Sequence, residues 1–455
     1  MATLTGTSLQ VRTRFAAALT AHLDTHAGRP HWDAGQLANF QRDRLRALLA
    51  HAICRSPFHA RLAGIDPRRF ELADLARLPV MTKEQMMAGF DEVVTDRRLT
   101  RTRVEQHLAA SAREPSLLFG DFVCLASGGS SGLRGIFTQT IEEFAEFVAS
   151  FVRPVAAAMA ASGGPPGGVL VAIVGAASPV HASGFGAAAS AGGYPLRTVS
   201  APATLPVGEL VQRLNQAQPL VLQAHTSKLA LLAAEQRAGR LRIAPVSVTA
   251  MGEPLTDGLR AVIGSAFGVP PVNQFTCTEG LAGQSAPGGE VISFASDMCI
   301  TELVDDDNQP VPDGTPSAKV LLTNLYNHTQ PLVRYELTDR FTRYPAGAGH
   351  GYLRATVQGR ADDTFHYGNV AVDPLVIRTV MVRTPAVLEY QVRQTSHGID
   401  VAVVADGPLD RAALTAALGQ SLRTGGLPDP RVNIQHVTDI TRHPETGKAR
   451  RFIPL

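Results

Sequence analysis

Val169-Leu-Val-Ala-Ile-Val174, Leu220-Val-Leu222 and Val246-Ser-Val-Thr249 are short apolar, mostly β-branched runs, and helical stretches at 229–238 and 257–267 separate the later ones. Strands alternating with helices predict a largely parallel sheet covered on both faces. Ligands of such sheets bind beyond the carboxyl ends of the strands. Toward the N-terminus, Leu45, Leu48, Leu49, Ala52 and Ile53 share a helical face that Ser56-Pro57 ends. Thr82-Lys-Glu-Gln85 and Thr140-Ile-Glu-Glu143 have the form of capping boxes, the second opening a long helix rich in Phe and Ala. Toward the C-terminus, 374–382 reads as a helix, 390–392 and 399–404 as strands, 410–422 as a helix and 432–437 as a last strand. The fold class expected is α/β. A large multi-layer N-terminal domain with mixed or parallel sheets (1–361) is followed by a small mobile α+β lid (362–455), with the boundary near Asp362.

The chain has 455 residues, too many for one ordinary core. Its 42 basic and 40 acidic residues leave a net charge of +2, which gives no ground for a nucleic-acid or membrane-surface partner. Cys54, Cys124, Cys277 and Cys299 form no C-x-x-C pair, so reduced thiols are expected rather than a zinc site or a disulfide framework. The apolar stretches 155–161 and 169–177 are separated by Ser162-Gly-Gly-Pro-Pro-Gly-Gly168, and neither reaches the about 20 residues needed to span a bilayer. The start lacks a basic region followed by an apolar run, so a cytoplasmic location is expected.

Five short segments carry chemistry. Ala126-Ser-Gly-Gly-Ser-Ser-Gly-Leu-Arg-Gly135 offers glycines and the hydroxyls of Ser127, Ser130 and Ser131, which suit a phosphate cradle; without a G-K-[ST] ending it is not a Walker loop. Asn273-Gln-Phe-Thr-Cys-Thr-Glu-Gly280 could set a hydroxyl on phosphate and a carboxylate on Mg2+. Arg334-Tyr-Glu-Leu-Thr-Asp339 supplies a carboxylate able to accept both ribose hydroxyls, and Gly359-Arg-Ala-Asp-Asp363 supplies an arginine suited to phosphate or ribose. Arg442-His-Pro-Glu-Thr-Gly-Lys-Ala-Arg-Arg451 is a basic segment near the end. Taken singly, each is also an ordinary turn or a solvated charge run.

In order and spacing, the five resemble the motifs of the adenylate-forming superfamily of acyl-CoA synthetases, peptide-synthetase adenylation domains and luciferases, and most of all phenylacetate–CoA ligases. The family's S-S-G-T-T-G-K loop is matched at 127–133, Y-G-x-T-E at 275–279, R-Y-R-T-G-D at 334–339, G-R-x-D-D at 359–363 and the late Gly-Lys at Gly447-Lys448. The resemblance implies ATP-dependent activation of a carboxylic acid as an acyl-AMP. Ser127, Ser130, Ser131 and Gly132 would hold the β,γ-phosphates, Thr278 the α-phosphate and Glu279 the Mg2+. Gly252-Glu253-Pro254 would pack on adenine, with Asn273 and Phe275 beside it. Asp339 would bind the ribose, with Arg360 nearby. Lys448 would bridge the carboxylate and the α-phosphate, and Asp362 would be the hinge. His181, Gly184, His225 and Thr226 fall where the family builds its acid pocket, although a histidine held by the protein is an equal reading.

Three positions depart from the family. Leu133 stands where many members have Lys, with Arg134 next to it. Thr338 replaces the usual Gly. Phe365-His-Tyr-Gly368 replaces a stretch that often carries Lys or Arg and helps line the second-step tunnel. The acceptor is therefore left open among CoA, an amine and a separate carrier protein, and so is homodimer formation. A catalytically degenerate nucleotide-binding protein is the alternative of another class.

Overall fold

The computed structural model describes residues 6–111, 114–127, 134–162, 168–190, 196–345, 351–384, 386–405 and 407–455. A nine-stranded sheet runs in the order Asp339–Tyr344, Arg354–Arg360, Ile292–Phe294, Ala282–Ser285, Val272–Thr276, Ser247–Met251, Val221–His225, Val169–Gly175, Leu196–Pro202. The strands from Val272–Thr276 to Leu196–Pro202 are parallel, and the other pairings are antiparallel. The three expected β-branched runs all lie in the parallel half, each displaced by no more than two residues at its start.

Alternation along these strands gives the sheet two different faces. Ala172, Val174, Leu222, Ala224, Val248 and Ala250 pack under helices Val207–Ala217, Thr226–Arg237 and Asp257–Phe267, through Leu210, Leu214, Leu229, Leu232, Leu259 and Ile263. On the other face Val169, Val171 and Val221 meet Val152 and Val155 of helix Ile141–Ser162. That helix covers this face only in part, and the remainder is the floor of a cleft. Both capping boxes form as expected: Thr82 with Gln85, and Thr140 Oγ1 accepting from the Glu143 amide while Glu143 accepts from the Thr140 amide.

A hairpin of Phe122–Ala126 with Ile136–Thr140 holds the Ser/Gly loop at its tip. A second antiparallel sheet contains Cys299–Val304, Lys319–Asn324 and Tyr335–Leu337. Arg334, from the third motif, is a structural residue. It is buried, adopts φ +47°, pairs with Glu302 at 3.0 Å and donates to the Ala76 and Leu78 carbonyls, tying the opening helices to this sheet.

The C-terminal unit has a core of its own. Phe365, Ile377, Met381, Val392, Val401, Leu414, Leu418 and Phe452 pack together between helices Pro374–Val382 and Arg411–Thr424 and a four-stranded sheet. That sheet runs Arg431–His436, Gly398–Ala405, Val387–Thr395, Phe452–Ile453. The αββαβ order holds. The short final strand is an addition, and its parallel pairing of Phe452 with Val392 anchors the basic segment just before it. Cysteines are unpaired, and among the described residues no helix is long and apolar enough to cross a membrane.

Helix Ile141–Ser162 is fastened by a buried ion pair, Arg153 Nη1 and Nη2 to Asp297 at 2.8 and 2.9 Å. Removing one member leaves an uncompensated buried charge. Asp297→Ala is expected to cost about 3–5 kcal/mol, read as a lowered urea unfolding midpoint; a loss below about 1 kcal/mol, as for an exposed pair, would refute the assignment.

Candidate active site

The loops leaving the parallel strands all open on one cleft of about 850 Å³. Ala176 and His181 follow Gly175, His225 ends the next strand, Gly252–Leu255 follow Met251, and Cys277–Glu279 follow Thr276. Asp339, Arg360, Asp362 and Asp363 enter from the antiparallel edge, and His443, Thr446, Lys448 and Ala449 from the C-terminal unit.

Ser127 closes the neck of the Ser/Gly loop: its hydroxyl accepts from the Gly135 amide at 2.8 Å, and its own amide donates to the Gly135 carbonyl. Ser130, Ser131, Gly132 and Leu133 lie outside the described residues. Asn273, Phe275, Thr278 and Glu279 line the cleft as expected, Phe275 within an aromatic cluster with Phe294 and Phe341. The glycine after Glu279 has a steric cause. Gly280 has φ +110°, and a Cβ there would lie 2.3 Å from Asn324 Nδ2 and 2.4 Å from the Tyr326 hydroxyl. Asn324 Nδ2 in turn donates to the Glu279 carbonyl at 3.0 Å, which holds the Thr-Glu turn in place.

Asp339 and Arg360 are ladder partners on adjacent strands. Arg360 donates to the Thr338 hydroxyl at 2.9 Å and lies 3.3 Å from Asp362; Thr338 itself donates to Asp362 at 2.9 Å. Thr338 thus joins the strand Asp339–Tyr344 to the turn at 361–363. Burial pushes the Asp339 carboxyl up to about 6, opposed by Arg360 and reinforced by Glu279 and Asp362. Asp363 is likewise pushed up to about 6 by burial, against Arg360 and Arg450.

Lys448 stands over Gly252. A Cβ on that glycine would fall 2.9 Å from Lys448 Cε and 3.0 Å from His225 Nδ1, and Gly252 has φ +72°. Crowding by protein lowers the lysine's proton affinity; Glu253 opposes this, Arg360 adds to it, and Asp339 and Glu279 oppose it. The loop carrying Lys448 is closed on itself by Gly447 N–H to the His443 carbonyl and His443 N–H to the Lys448 carbonyl. At Gly447, φ is +68° and a Cβ would lie 2.8 Å from Ala203 Cβ.

His181 and His225 line the cleft, but protein occupies their ring nitrogens. His181 Nδ1 faces the Ala126 carbonyl at 3.0 Å and Nε2 the Glu445 carboxylate at 3.1 Å. His225 Nε2 lies 3.1 Å from the Thr446 carbonyl and Nδ1 3.4 Å from that of Met251. Burial lowers the proton affinity of both rings. Two expected pocket residues do not line the cleft. Gly184 is pressed on the Ser178 carbonyl, 2.1 Å from where its Cβ would be, and the buried Thr226 spends its hydroxyl on the Glu253 carbonyl at 2.9 Å. An apolar part of the cleft lining comes from Phe147, Phe151 and Val155 of helix Ile141–Ser162 and from Val171, Ile173 and Val221 of the sheet.

The sequence reading also passed over Lys83. Part of the Thr82 capping box and of the opening segment that resembles phenylacetate–CoA ligases, it lines the cleft with its Cε 3.0 Å from where a Gly135 Cβ would be. Its position directly after the N-cap was the available signal. Glu279 places a carboxylate on the cleft. The metal-capable group among the described residues, His22, His26 and Glu146, already faces Arg44 at 2.7 Å and Arg29 at 3.8 Å, and those charges oppose a cation there.

No protein-family model and no curated protein matches the sequence. Solved structures do match. 2-Hydroxyisobutyryl-CoA ligase in its postadenylation state with an acyl-AMP is 20% identical, with 94% of this chain and 91% of that one covered, at a TM-score of 0.70. Its open and thioesterification-state structures give 0.59 and 0.56. The amide bond synthetase McbA from Marinactinospora thermotolerans (16% identity, 70% and 65% covered) gives 0.51, and ATP-bound MatB from Rhodopseudomonas palustris (14%, 71% and 65%) gives 0.52. The chain therefore has the fold of the adenylate-forming ligases.

With a folded-state value of about 6 against 3.8 unfolded, ionising Asp339 costs the folded state. Stability from this group is present below pH 3.8 and lost as pH rises through 6. Asp339→Asn is expected to raise the unfolding midpoint at pH 8 and to leave it nearly unchanged at pH 4; an equal shift at both would remove the titration from the account.

Proposed function

We propose that the chain is an adenylate-forming ligase that uses ATP to convert a carboxylic acid into an acyl-AMP, releasing pyrophosphate, and then passes the acyl group to a nucleophile. The observation that carries this reading is Lys448. A loop near the C-terminus delivers it into the cleft that Thr278, Glu279, Asp339 and Arg360 line. A carboxylate attacking the α-phosphate brings anions together, and a positioned cation lowers that barrier. In this reading Lys448 would contact both reacting groups, Asp339 would accept the ribose hydroxyls, Arg360 would meet phosphate or ribose, and the Ser/Gly segment with Ser127, Ser130, Ser131 and Gly132 would cradle the β,γ-phosphates. Gly252, Glu253 and Pro254 form the wall on which adenine would pack. Mg2+, held by Glu279, would supply charge neutralisation at the phosphates.

The apolar lining of Phe147, Phe151, Val155, Val171, Ile173 and Val221 favours an acid with an apolar body, aryl or related, as in the phenylacetate–CoA ligase branch. The first acceptor in this reading is CoA, as bound by the 2-hydroxyisobutyryl-CoA ligase. An amine or a carrier-protein thiol is the second. It is favoured by the segment after the hinge, where Phe365 is buried in the C-terminal core and Tyr367 donates to the Gly398 carbonyl, with His366 the exposed residue where relatives often have Lys or Arg.

The test is ATP–pyrophosphate exchange with Mg2+ and a panel of aryl, aliphatic and amino acids, followed by product analysis with CoA and with amines. Exchange with an apolar acid is expected, and Lys448→Ala should lower it by about 10²–10³-fold. ATP binding without exchange for any acid, and unchanged by Lys448→Ala, would instead identify a nucleotide-binding protein.

A further inference from the structure

Glu253 does something that its place in the adenine segment does not require. Glu253 lines the cleft, and its carboxylate also reaches the junction of the two units. Oε2 accepts from the Ser227 amide of its own domain at 2.8 Å, and Oε1 accepts from the Ala449 amide of the C-terminal loop at 3.1 Å. Gly252 immediately before it, at φ +72°, makes the bend from which the side chain departs in this direction. Ala449 is the residue after Lys448, so a contact that fixes its amide also fixes the peptide from which the catalytic ammonium extends.

We propose that Glu253 is the positioning residue that latches the C-terminal unit with Lys448 in the cleft. This rests on the adenylate-forming reading and adds to it the group that holds the lid for the first half-reaction. The same junction carries a parallel strut. The Arg442 guanidinium donates to Ser227 Oγ at 2.8 Å and grips Glu389 of its own unit at 2.7 and 2.8 Å. Ser227 is therefore held by Glu253 through its amide and by Arg442 through its hydroxyl. Other contacts to this loop, His225 to the Thr446 carbonyl and His181 and the Ala177 amide to Glu445, act on residues two and three before Lys448. Glu253 alone acts on the adjacent peptide. Its carboxylate also faces Lys448 and His225 and so favours their charged forms. Turning the C-terminal unit for acyl transfer must break the Ala449 contact while leaving the Ser227 contact intact.

The first arm of the test needs no substrate. In the full-length protein, hydrogen exchange of the peptide spanning 442–451 should quicken by about tenfold or more in Glu253→Ala, the scale of a lost charge-assisted hydrogen bond. Helix Arg411–Thr424 should keep its protection, showing the unit still folded. Glu253→Gln keeps an oxygen for Ala449 but sets its NH2 against the Ser227 donor, and should fall between. The second arm separates the half-reactions. Pyrophosphate exchange should drop by about 10²-fold, the effect of a small misplacement, with the KM for ATP little changed, while acyl transfer from supplied acyl-AMP should hold or rise. Unchanged exchange of 442–451 in both variants, or an equal loss in both half-reactions, would overturn the latch. Faster hydrogen exchange in a protein that adenylates no acid would leave the latch standing and overturn the adenylation reading.

Discussion

The cleft gathers carboxylates that could not share one space alone. Glu279, Asp339, Asp362 and Asp363 all face it, and burial, with a smaller part from their neighbours' charge, raises the proton affinity of Asp339 and Asp363. Within the large domain, Arg360 lies beside Asp362 and pairs in the ladder with Asp339, and Lys83 and Arg340 also line the cleft; Lys448 comes from the C-terminal loop. The site's charge balance is thus a property of how the two units meet, and neither core makes it alone. Thr338 adds to this local network: its hydroxyl accepts from Arg360 and donates to Asp362.

Much of the architecture was legible because its pattern is local. Three of the parallel strands carry mostly apolar runs of three to six residues separated by helical stretches, and Asp257–Phe267 emerged with the bounds read from sequence. The antiparallel half gave no such signal. Ala282–Ser285, Ile292–Phe294 and Tyr335–Leu337 are too short for alternation to register, and Lys319–Asn324 is buried along nearly its whole length. Their order in the sheet is set by contacts distant in sequence, as Arg334 shows. It reads as part of a nucleotide motif, yet its side chain is spent on Glu302 and on two carbonyls of the opening segment.

For the site, the motifs gave the residues that touch the cleft through local turns. They did not reveal what each side chain does there. Gly184 and Thr226 sit beside true cleft residues, but a helix turns every third or fourth side chain the same way, so Ser183 and Gly186 face the cleft while Gly184 packs on Ser178. His181 and His225 were open between contacting a ligand and being held by the protein. The partners that hold them, Glu445 and Thr446, lie more than two hundred residues away, beyond the reach of any window on the sequence.

Those partners have a common character. At the junction, the large domain presents His181, His225, Ser227 and Glu253 to the backbone and polar side chains of the loop at 442–449, and the contacts are hydrogen bonds and ion pairs. Each such bond exchanges with water for a net of about 0.5–1.5 kcal/mol, so the set is strong enough to define one arrangement and weak enough to release it. A packed apolar junction would hold the units together permanently. A polar one of this size behaves like a transient interface between separate proteins. That is what a cleft needs if one of its cations is to be present for one chemical step and absent for the next. The aromatic and aliphatic groups of the C-terminal unit are accordingly turned inward to Phe365, Val401 and Leu418, leaving its contact surface to charge and backbone.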